Sequence, residues 1–359
     1  MSLEFFADMK DVKEKISELL KVKRTKEAKE KVQQFAKFLK DNYYEEKASV
    51  DDLIIFSYMY LKNLNPNTPC LEELKNEHKK NRNYSKNRSL INSLCFSYDT
   101  KCLNLMPLYS FIIEFEFSLV KPYISKDDEN FTIIENSIRR EKVLGCPYIP
   151  GSTWKGCFRS ALWQEGKKEN DEQINRMFGN ERQEKKQDKF RQGRLHFFPT
   201  FFSKSSFEVI NPHDRKTRAG TKPIFIECIP AGEKGKFSLL YVPFDLIGKE
   251  QDEMKKQMLE DLRLIIEGLE AMFTKYGFGA KTSSGYGIAK INEGLIKVNA
   301  QQDKEQIKKS LPKSFKFHET KGLKEKVANL MNENDESSLM EQHFDSFESL
   351  KKASIKLLR

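Results

Sequence analysis

The sequence predicts an α+β chain, and three features of its 359 residues do so. Between Pro107 and Val298, apolar runs of period two alternate with amphipathic runs of period 3.6. Their order is strand, helix, strand, strand, helix, strand, the ferredoxin-like arrangement that RNA-recognition (RRM-like) folds share. Charged, helix-forming composition flanks this middle zone on both sides. The expected organisation is a helical N-terminal extension over 1–105, a ferredoxin-like core over 106–298, and a charged linker with C-terminal helices over 299–359.

In the first zone, Ile16, Leu19 and Leu20, then Val32, Phe35, Phe38 and Leu39, recur at spacings of three and four. Each set makes one apolar stripe on a helix. A third helix is expected over Asp51 to Leu61, capped by Ser49 or Asp51, with Asn65-Pro66-Asn67 ending it. Lys75 to Arg88 reads as a basic, Asn-rich linker or frayed helix.

In the middle zone, Phe111 to Leu119 alternates so that one face is buried and Glu114 and Glu116 share the other. Ser152 directly follows Pro150-Gly151 and is expected to cap a helix running to Trp163. Leu195 to Pro199 and Phe237 to Pro243 read as strands. Gln251 to Tyr276 is a long amphipathic helix, and Tyr286 to Ile291 a short last strand. Beyond Asn299, helices are expected over Gly322 to Met331 and Glu348 to Leu358.

The formal net charge is +10, with 63 Lys and Arg against 53 Asp and Glu. That balance favours a polyanionic partner, because cations that neutralise phosphates release counterions. No run reaches the roughly 18 apolar residues of a membrane span. The first ten residues include Glu4 and Asp8 and lack the order of a signal peptide, so a cytoplasmic chain with no membrane contact is expected. Cys70, Cys95, Cys102, Cys146, Cys157 and Cys228 contain no CxxC pair and have no His at zinc-ligand spacing. They read as small core residues, and neither a metal nor another cofactor is expected.

Two segments carry chemistry. Tyr276 to Gly287 holds Gly277, Gly279, Gly285 and Gly287 around Lys281, Thr282, Ser283 and Ser284. Lys281-Thr282 suggests a P-loop, but Ala280 stands where Gly is required, and the loop follows a helix instead of leading into one. Nucleotide hydrolysis is thereby disfavoured. Glycines permit positive φ and close backbone approach, while the cation, hydroxyls and amides suit a phosphate backbone. A tight helix-to-strand turn explains the same glycines. The second segment is Leu144 to Arg159, where a helix start offers amides to an anion and Lys155 and Arg159 share one face. Trp154 reads as core packing, with base stacking as its alternative.

A third segment, Val209 to Pro223, lies between two strands and carries Arg215, Lys216, Arg218 and Lys222 against Asp214. It reads as a projecting basic arm, or as an ordinary exposed loop.

The run Ile149 to Arg159, Asn136-Ser-Ile-Arg-Arg-Glu upstream and the glycine loop downstream together resemble the RAMP superfamily of CRISPR-associated proteins, over about residues 107 to 295. Within it, Gly-Ala-Lys-Thr-Ser-Ser-Gly-Tyr-Gly is most similar to the subunit that terminates the backbone filament of the type III-B (Cmr) effector. The resemblance implies a noncatalytic subunit that grips guide RNA toward its 3′ end through Ser152, Lys155, Arg159, Gly279, Lys281, Thr282, Ser283 and Ser284. It also implies an arm bearing Arg215, Lys216 and Arg218 that reaches between guide and target RNA. Neighbouring RAMP subunits and a small helical subunit are the implied protein partners. Residues 1–105 match no motif of that family.

Related backbone subunits cut target RNA with an aspartate soon after the first strand. Asn136 occupies that place here, and an amide cannot exchange a proton or bind a metal as a carboxylate does. Asp127 and Asp128 lie nearby as alternative candidates. For a guide-processing ribonuclease the candidate base is His213 beside Asp214, whereas His196 reads as a packed strand residue. A protein-binding adaptor built on the N-terminal helices is a further alternative.

Overall fold

The computed structural model describes residues 10–43, 50–80, 100–126, 136–142, 145–179, 192–212, 216, 220, 223–300 and 339–356. The candidates Asp127, Asp128, His213, Arg215 and Arg218 lie outside the described residues, as do the expected helix over 322–331 and the stretch 81–99. The chain divides into two compact units. The first comprises Met1–Lys86, Lys126–Ile138 and Phe207–Glu227, and the second Asn87–Ser125, Arg139–Ser206 and Cys228–Arg359.

In the first unit, helices α1 (Lys10–Leu20), α2 (Thr25–Tyr43), α3 (Val50–Leu64) and α4 (Cys70–Lys80) enclose one apolar core. Ile16, Leu19, Val32, Phe35 and Leu39 are buried there, with Ile54, Leu61, Leu71 and Leu74. The periodic stripes thus face one another. Asp51 sits within the first turn of α3 and so is not its cap. After Leu64 the amide of Asn67 donates to Asn65 Oδ1 at 3.2 Å, a local turn that competes with further helix. Lys75 to Lys80 are helical, contrary to a linker reading, because Leu71 and Leu74 anchor α4 in the core.

The remaining elements are β1 (Phe111–Leu119), β2 (Tyr148–Ile149), α5 (Gly151–Gln164), α6 (Glu172–Phe178), β3 (Leu195–Phe197) and β4 (Thr200–Phe201). Next come β5 (Ser206–Ile210) and β6 (Ile224–Cys228), which fall mostly in the first unit and pair with each other. The chain then forms β7 (Lys234–Tyr241), α7 (Gln251–Glu270), β8 (Ala289–Asn299), β9 (Leu339–Phe344) and α8 (Phe347–Lys356).

The main sheet has the order β3-β7-β1-β8-β9, every neighbouring pair antiparallel. Leaving out β9, the strands that flank α5 and α7 form the ferredoxin-like sheet, with the first and third at its centre. The fifth strand, β9, was not expected; it pairs with the outer edge of β8, and α8 follows it.

Period-two alternation places Phe111, Ile113, Phe115 and Phe117 on the helix-covered face. Phe115 lies 4.9 Å from Phe237 of β7 and 6.1 Å from Phe347 of α8, ring centre to ring centre. Phe117 lies 6.0 Å from Trp154 of α5 in an edge-on contact. The opposite face is polar: Glu114 accepts from Ser238 at 2.9 Å, and Glu116 pairs with Lys234. A bulge after Glu116 leaves Asn292 unpaired in register, and its amide donates to Ser118 and Glu116.

One buried ionic network ties α6, β3, β7 and α7 together. Arg194, 1% exposed, forks onto Asp245 at 2.8 and 2.7 Å and reaches Asp261 Oδ2 at 3.0 Å. Tyr241 donates to the same oxygen at 2.8 Å, and Arg176 donates to Asp261 Oδ1 at 2.8 Å. Both charges of the pair are removed from water, and their hydrogen bonds offset that loss.

Candidate nucleic-acid interface

The helix that precedes the glycine loop does not run unbroken to Tyr276. α7 closes in a π turn over Ala271–Tyr276, stabilised by Thr274 donating to the Glu270 carbonyl at 2.7 Å. The turn seats Phe273 5.5 Å from Trp154 and 5.2 Å from Phe278, and the chain then enters the loop at Gly277.

The loop is mounted on the end of β1. The amide of Ala280 donates to the Ile124 carbonyl at 2.8 Å, that of Gly287 to Pro122 at 2.9 Å, and that of Phe278 to Gly287 at 3.1 Å. Gly277, Gly279 and Gly287 all combine positive φ with backbone where a Cβ would stand, and the last two sit at the mount itself. At Gly279, with φ +91°, a Cβ would stand 2.5 Å from the Tyr123 ring and 2.6 Å from the Ile124 carbonyl. At Gly287, with φ +73°, a Cβ would overlap the Phe278 carbonyl oxygen. The tip is a single 3₁₀ turn, Thr282–Ser284, preceded by Lys281 in the left-handed conformation at φ 58°. Lys281, Ser283 and Ser284 are exposed and Thr282 is half-buried. A non-glycine residue held at positive φ is a strained arrangement, and here it is the residue that carries the charge.

Helix α5 starts one residue earlier than expected. Gly151 is its first residue and Pro150 its N-cap, so Ser152 does not cap it and instead lies exposed in the first turn. Proline lacks a side-chain acceptor; its carbonyl instead receives the amides of Thr153 and Trp154 at 3.0 and 3.1 Å. Trp154 is fully buried, with its indole N–H donating to Thr200 at 3.1 Å, which fits core packing and leaves no ring for a base. Its ring lies 4.7 Å from Phe278, and the Gly279 amide donates to the Cys157 sulfur. The two sequence segments therefore meet: the first half of the glycine loop rests on the first half of α5. Burial raises the Cys157 thiol pKa, so that sulfur is a packing atom.

Lys155 and Arg159 do share a face, but Lys155 is partly engaged. Its Nζ donates to the Phe178 carbonyl at 2.9 Å, and burial, then the Arg159 charge, lower its pKa. Neither side chain has a carboxylate partner among the described residues. Gly156, between them and exposed, has open space where a Cβ would be. Nothing within the chain requires glycine there, although it costs an exposed helix about 1 kcal/mol relative to alanine. Sequence reading passed over Gly156 because glycine there carries no functional group. It also passed over Arg139, whose charge acts on Tyr123 beside the loop, since spacing does not reveal that proximity.

The face of the sheet opposite the helices does not offer the ring-stacking surface of an RRM. The outward residues of β1 and β7 are Ile112, Glu114, Glu116, Ser118, Lys234, Lys236, Ser238 and Leu240, none of them aromatic. A cleft of about 700 Å³ there is lined by Glu114, Glu116, Glu293 and Asp345 against Lys236 and His343, an acidic excess that disfavours phosphate. The cationic and hydroxyl groups lie instead at the loop and helix end of the core.

Lys216, Asn136 and His196 are the other described candidates. Lys216 is exposed in the segment joining β5 and β6, where Val209, Ile224 and Phe225 are also exposed. Asn136 donates to the Phe225 carbonyl at 3.2 Å and accepts from the Glu227 amide at 2.9 Å, both on β6. His196 is half-buried in β3, its pKa lowered by burial and then by the charge of Lys155. Among the described residues no cluster of His, Cys, Asp and Glu is arranged to hold a metal, and no helix is long and apolar enough to cross a membrane.

Residues 116–290 match the family model described as the RAMP superfamily. The chain is 28% identical over 165 residues to the CRISPR system Cms endoribonuclease Csm3 of Streptococcus thermophilus, covering 43% of this chain and 73% of that protein. A chain of the type III-B Cmr-beta complex bound to cognate target RNA superposes with a TM-score of 0.45 at 18% identity, covering 70% of this chain and 92% of that one. A chain of the Csm3–Csm4 subcomplex of the type III-A interference complex gives 0.38 at 17%, covering 70% and 99%. The matched span, 116–290, runs from within β1 to the start of β8, so both the start of α5 and the glycine loop lie within the segment that matches the RAMP superfamily.

Proposed function

We propose that this chain is a noncatalytic RNA-binding subunit of a type III CRISPR interference ribonucleoprotein. It grips the guide RNA (crRNA), toward its 3′ end, and contacts neighbouring RAMP subunits and a small helical subunit in antiviral defence. The observation that carries the reading is the glycine loop resting on α5. The loop tip presents Lys281, Thr282, Ser283 and Ser284, and the helix on which the loop rests, through Trp154 and Cys157, carries Ser152, Lys155, Gly156 and Arg159 away from its buried side. These are cations, hydroxyls and a bare helix backbone, which suit sugar and phosphate and carry no base code. The basic segment with Arg215, Lys216 and Arg218 is assigned as an arm over the guide and target strands. The net charge of +10 agrees with a polyanionic partner.

A second reading, target cutting or guide processing, is favoured by the name of the Streptococcus thermophilus relative, an endoribonuclease. Against it, Asn136 carries an amide, which donates to the Phe225 carbonyl of β6, where a carboxylate would be needed. The deciding experiment incubates the purified full chain with labelled precursor RNA and labelled target RNA, with and without magnesium. The proposal expects binding without multiple-turnover cleavage. Cleavage that is lost on Asp127→Ala, Asp128→Ala or His213→Ala replaces it with the enzymatic reading.

A further inference from the structure

The chain has two tryptophans, and they differ sharply in setting: Trp154 is 0% exposed and Trp163 44% exposed. A tryptophan left that open is unusual, since its large apolar surface normally drives burial. Trp163 lies eleven residues after Ser152 on α5. At 100° per residue, Ser152, Gly156, Arg159 and Trp163 fall on one stripe, about 16 Å long along the axis. Trp154, Phe158, Ala161 and Leu162 occupy the buried side of the same helix.

The exposed indole is held in place. The guanidinium carbon of Arg159 stands 5.6 Å from the centre of the Trp163 ring and 5.7 Å from that of Phe178. Lys155 Nζ stands 6.0 Å from the same Phe178 ring, and donates to its carbonyl. Aromatic and cationic groups therefore alternate in the order Trp163, Arg159, Phe178, Lys155, within cation–π range throughout. The nearest carboxylate in sequence, Glu165, is taken by Lys275 and Tyr276, each at 2.7 Å. Arg159 is left with its positive charge unneutralised among the described residues. Trp163 makes no ring contact besides Arg159 among those residues, and nearly half of its surface is exposed.

We infer that Trp163 is a base-stacking platform. The exposed part of the indole takes an unpaired nucleobase, and Arg159 beside it faces the phosphate of the same strand. The inference rests on the RNA-binding reading above and extends it from the helix start to the helix end. Stacking on a ring tolerates every base, because each has a π face, so this contact adds affinity without sequence preference. It also accounts for an exposed tryptophan beside a fixed cation, which a packing role leaves unexplained.

The test titrates short oligoadenylate and oligouridylate into the full chain and follows tryptophan emission. Trp154 is buried, so iodide-accessible emission reports on Trp163. The expected result is quenching on binding by both oligomers. Trp163→Ala should weaken binding by about five- to one-hundred-fold, as loss of one stacked base does. Trp163→Phe should recover most of it, and neither variant should change the slope of affinity against salt, because stacking releases no counterions. Arg159→Ala should lower that slope by about one. RNA binding with unchanged emission and undiminished affinity in Trp163→Ala overturns the stacking inference and leaves the RNA-binding reading intact. No binding by the wild-type chain overturns both. A Trp163→Ala chain that binds RNA normally but fails to co-elute with other subunits assigns the ring to a protein contact, and also overturns the inference.

Discussion

The ring of Trp154 lies 4.7 Å from that of Phe278, and this contact joins the start of α5 to the glycine loop. The segments are more than a hundred residues apart in sequence, yet they share one apolar cluster with Phe117, Phe237 and Phe273. The surface groups of the proposed grip are thereby fixed by the core beneath them. Four consequences concern stability and binding.

Gly156→Ala separates folding from binding. The position is helical, exposed and free of neighbours, so alanine should stabilise the chain by about 0.5–1 kcal/mol. If the bare backbone admits RNA, the same change should weaken RNA binding. Urea unfolding and RNA titration of one variant check both, and a gain in stability with unaltered affinity would remove Gly156 from the interface.

Gly287→Ala should act in the opposite sense on stability. Its φ of +73° and the overlap of a new Cβ with the Phe278 carbonyl force the loop off its mount. A loss of about 1–3 kcal/mol is expected in denaturant unfolding, with weakened RNA binding following from the displaced Lys281. A midpoint equal to wild type would mean that the loop is not anchored by that contact.

Asp261→Ala leaves Arg194 and Arg176 buried without their shared carboxylate. Removing one partner of such a network costs about 3–5 kcal/mol. Thermal or urea unfolding measures it, and a cost below about 1 kcal/mol would contradict the role given to the network.

His196 sets a pH dependence. Burial, then the Lys155 charge, depress its pKa below the ordinary 6.5, so the unfolded chain takes up the proton first. The stability that neutral His196 contributes is complete above about 6.5 and is lost as pH falls from there through the folded value. His196→Gln should flatten the fall in stability between about pH 7 and pH 5. Equal slopes for variant and wild type would show that the ring does not carry this dependence.

Much of the fold was legible because its signals are local. The alternation of Phe111 to Leu119 and the stripes of α1 and α2 each reveal a buried face within a few residues. β9 was not, since Leu-Met-Glu-Gln-His-Phe has weak alternation and its strand character comes from pairing with β8, residues 294–299. The length of β8 was missed for the same reason: its second half, Asn292 to Asn299, alternates poorly and is held by β1 and β9. At the site, residue types pointed to Lys281 and Arg159, but not to the Phe178 carbonyl that occupies Lys155, nor to the proline cap that displaces Ser152. The Arg194–Asp261 pair spans 67 residues, and no spacing rule connects them.

The central claim is that α5 and the glycine loop hold RNA by its phosphates. The most direct measurement is the slope of log affinity against log salt for single-stranded RNA, in the wild type and in a Lys155→Ala, Arg159→Ala, Lys281→Ala variant shown to be folded by circular dichroism. Loss of three phosphate contacts should lower the slope by about two and weaken binding at low salt. An unchanged slope with unchanged affinity would contradict the account and leave the basic surface without a role in RNA binding.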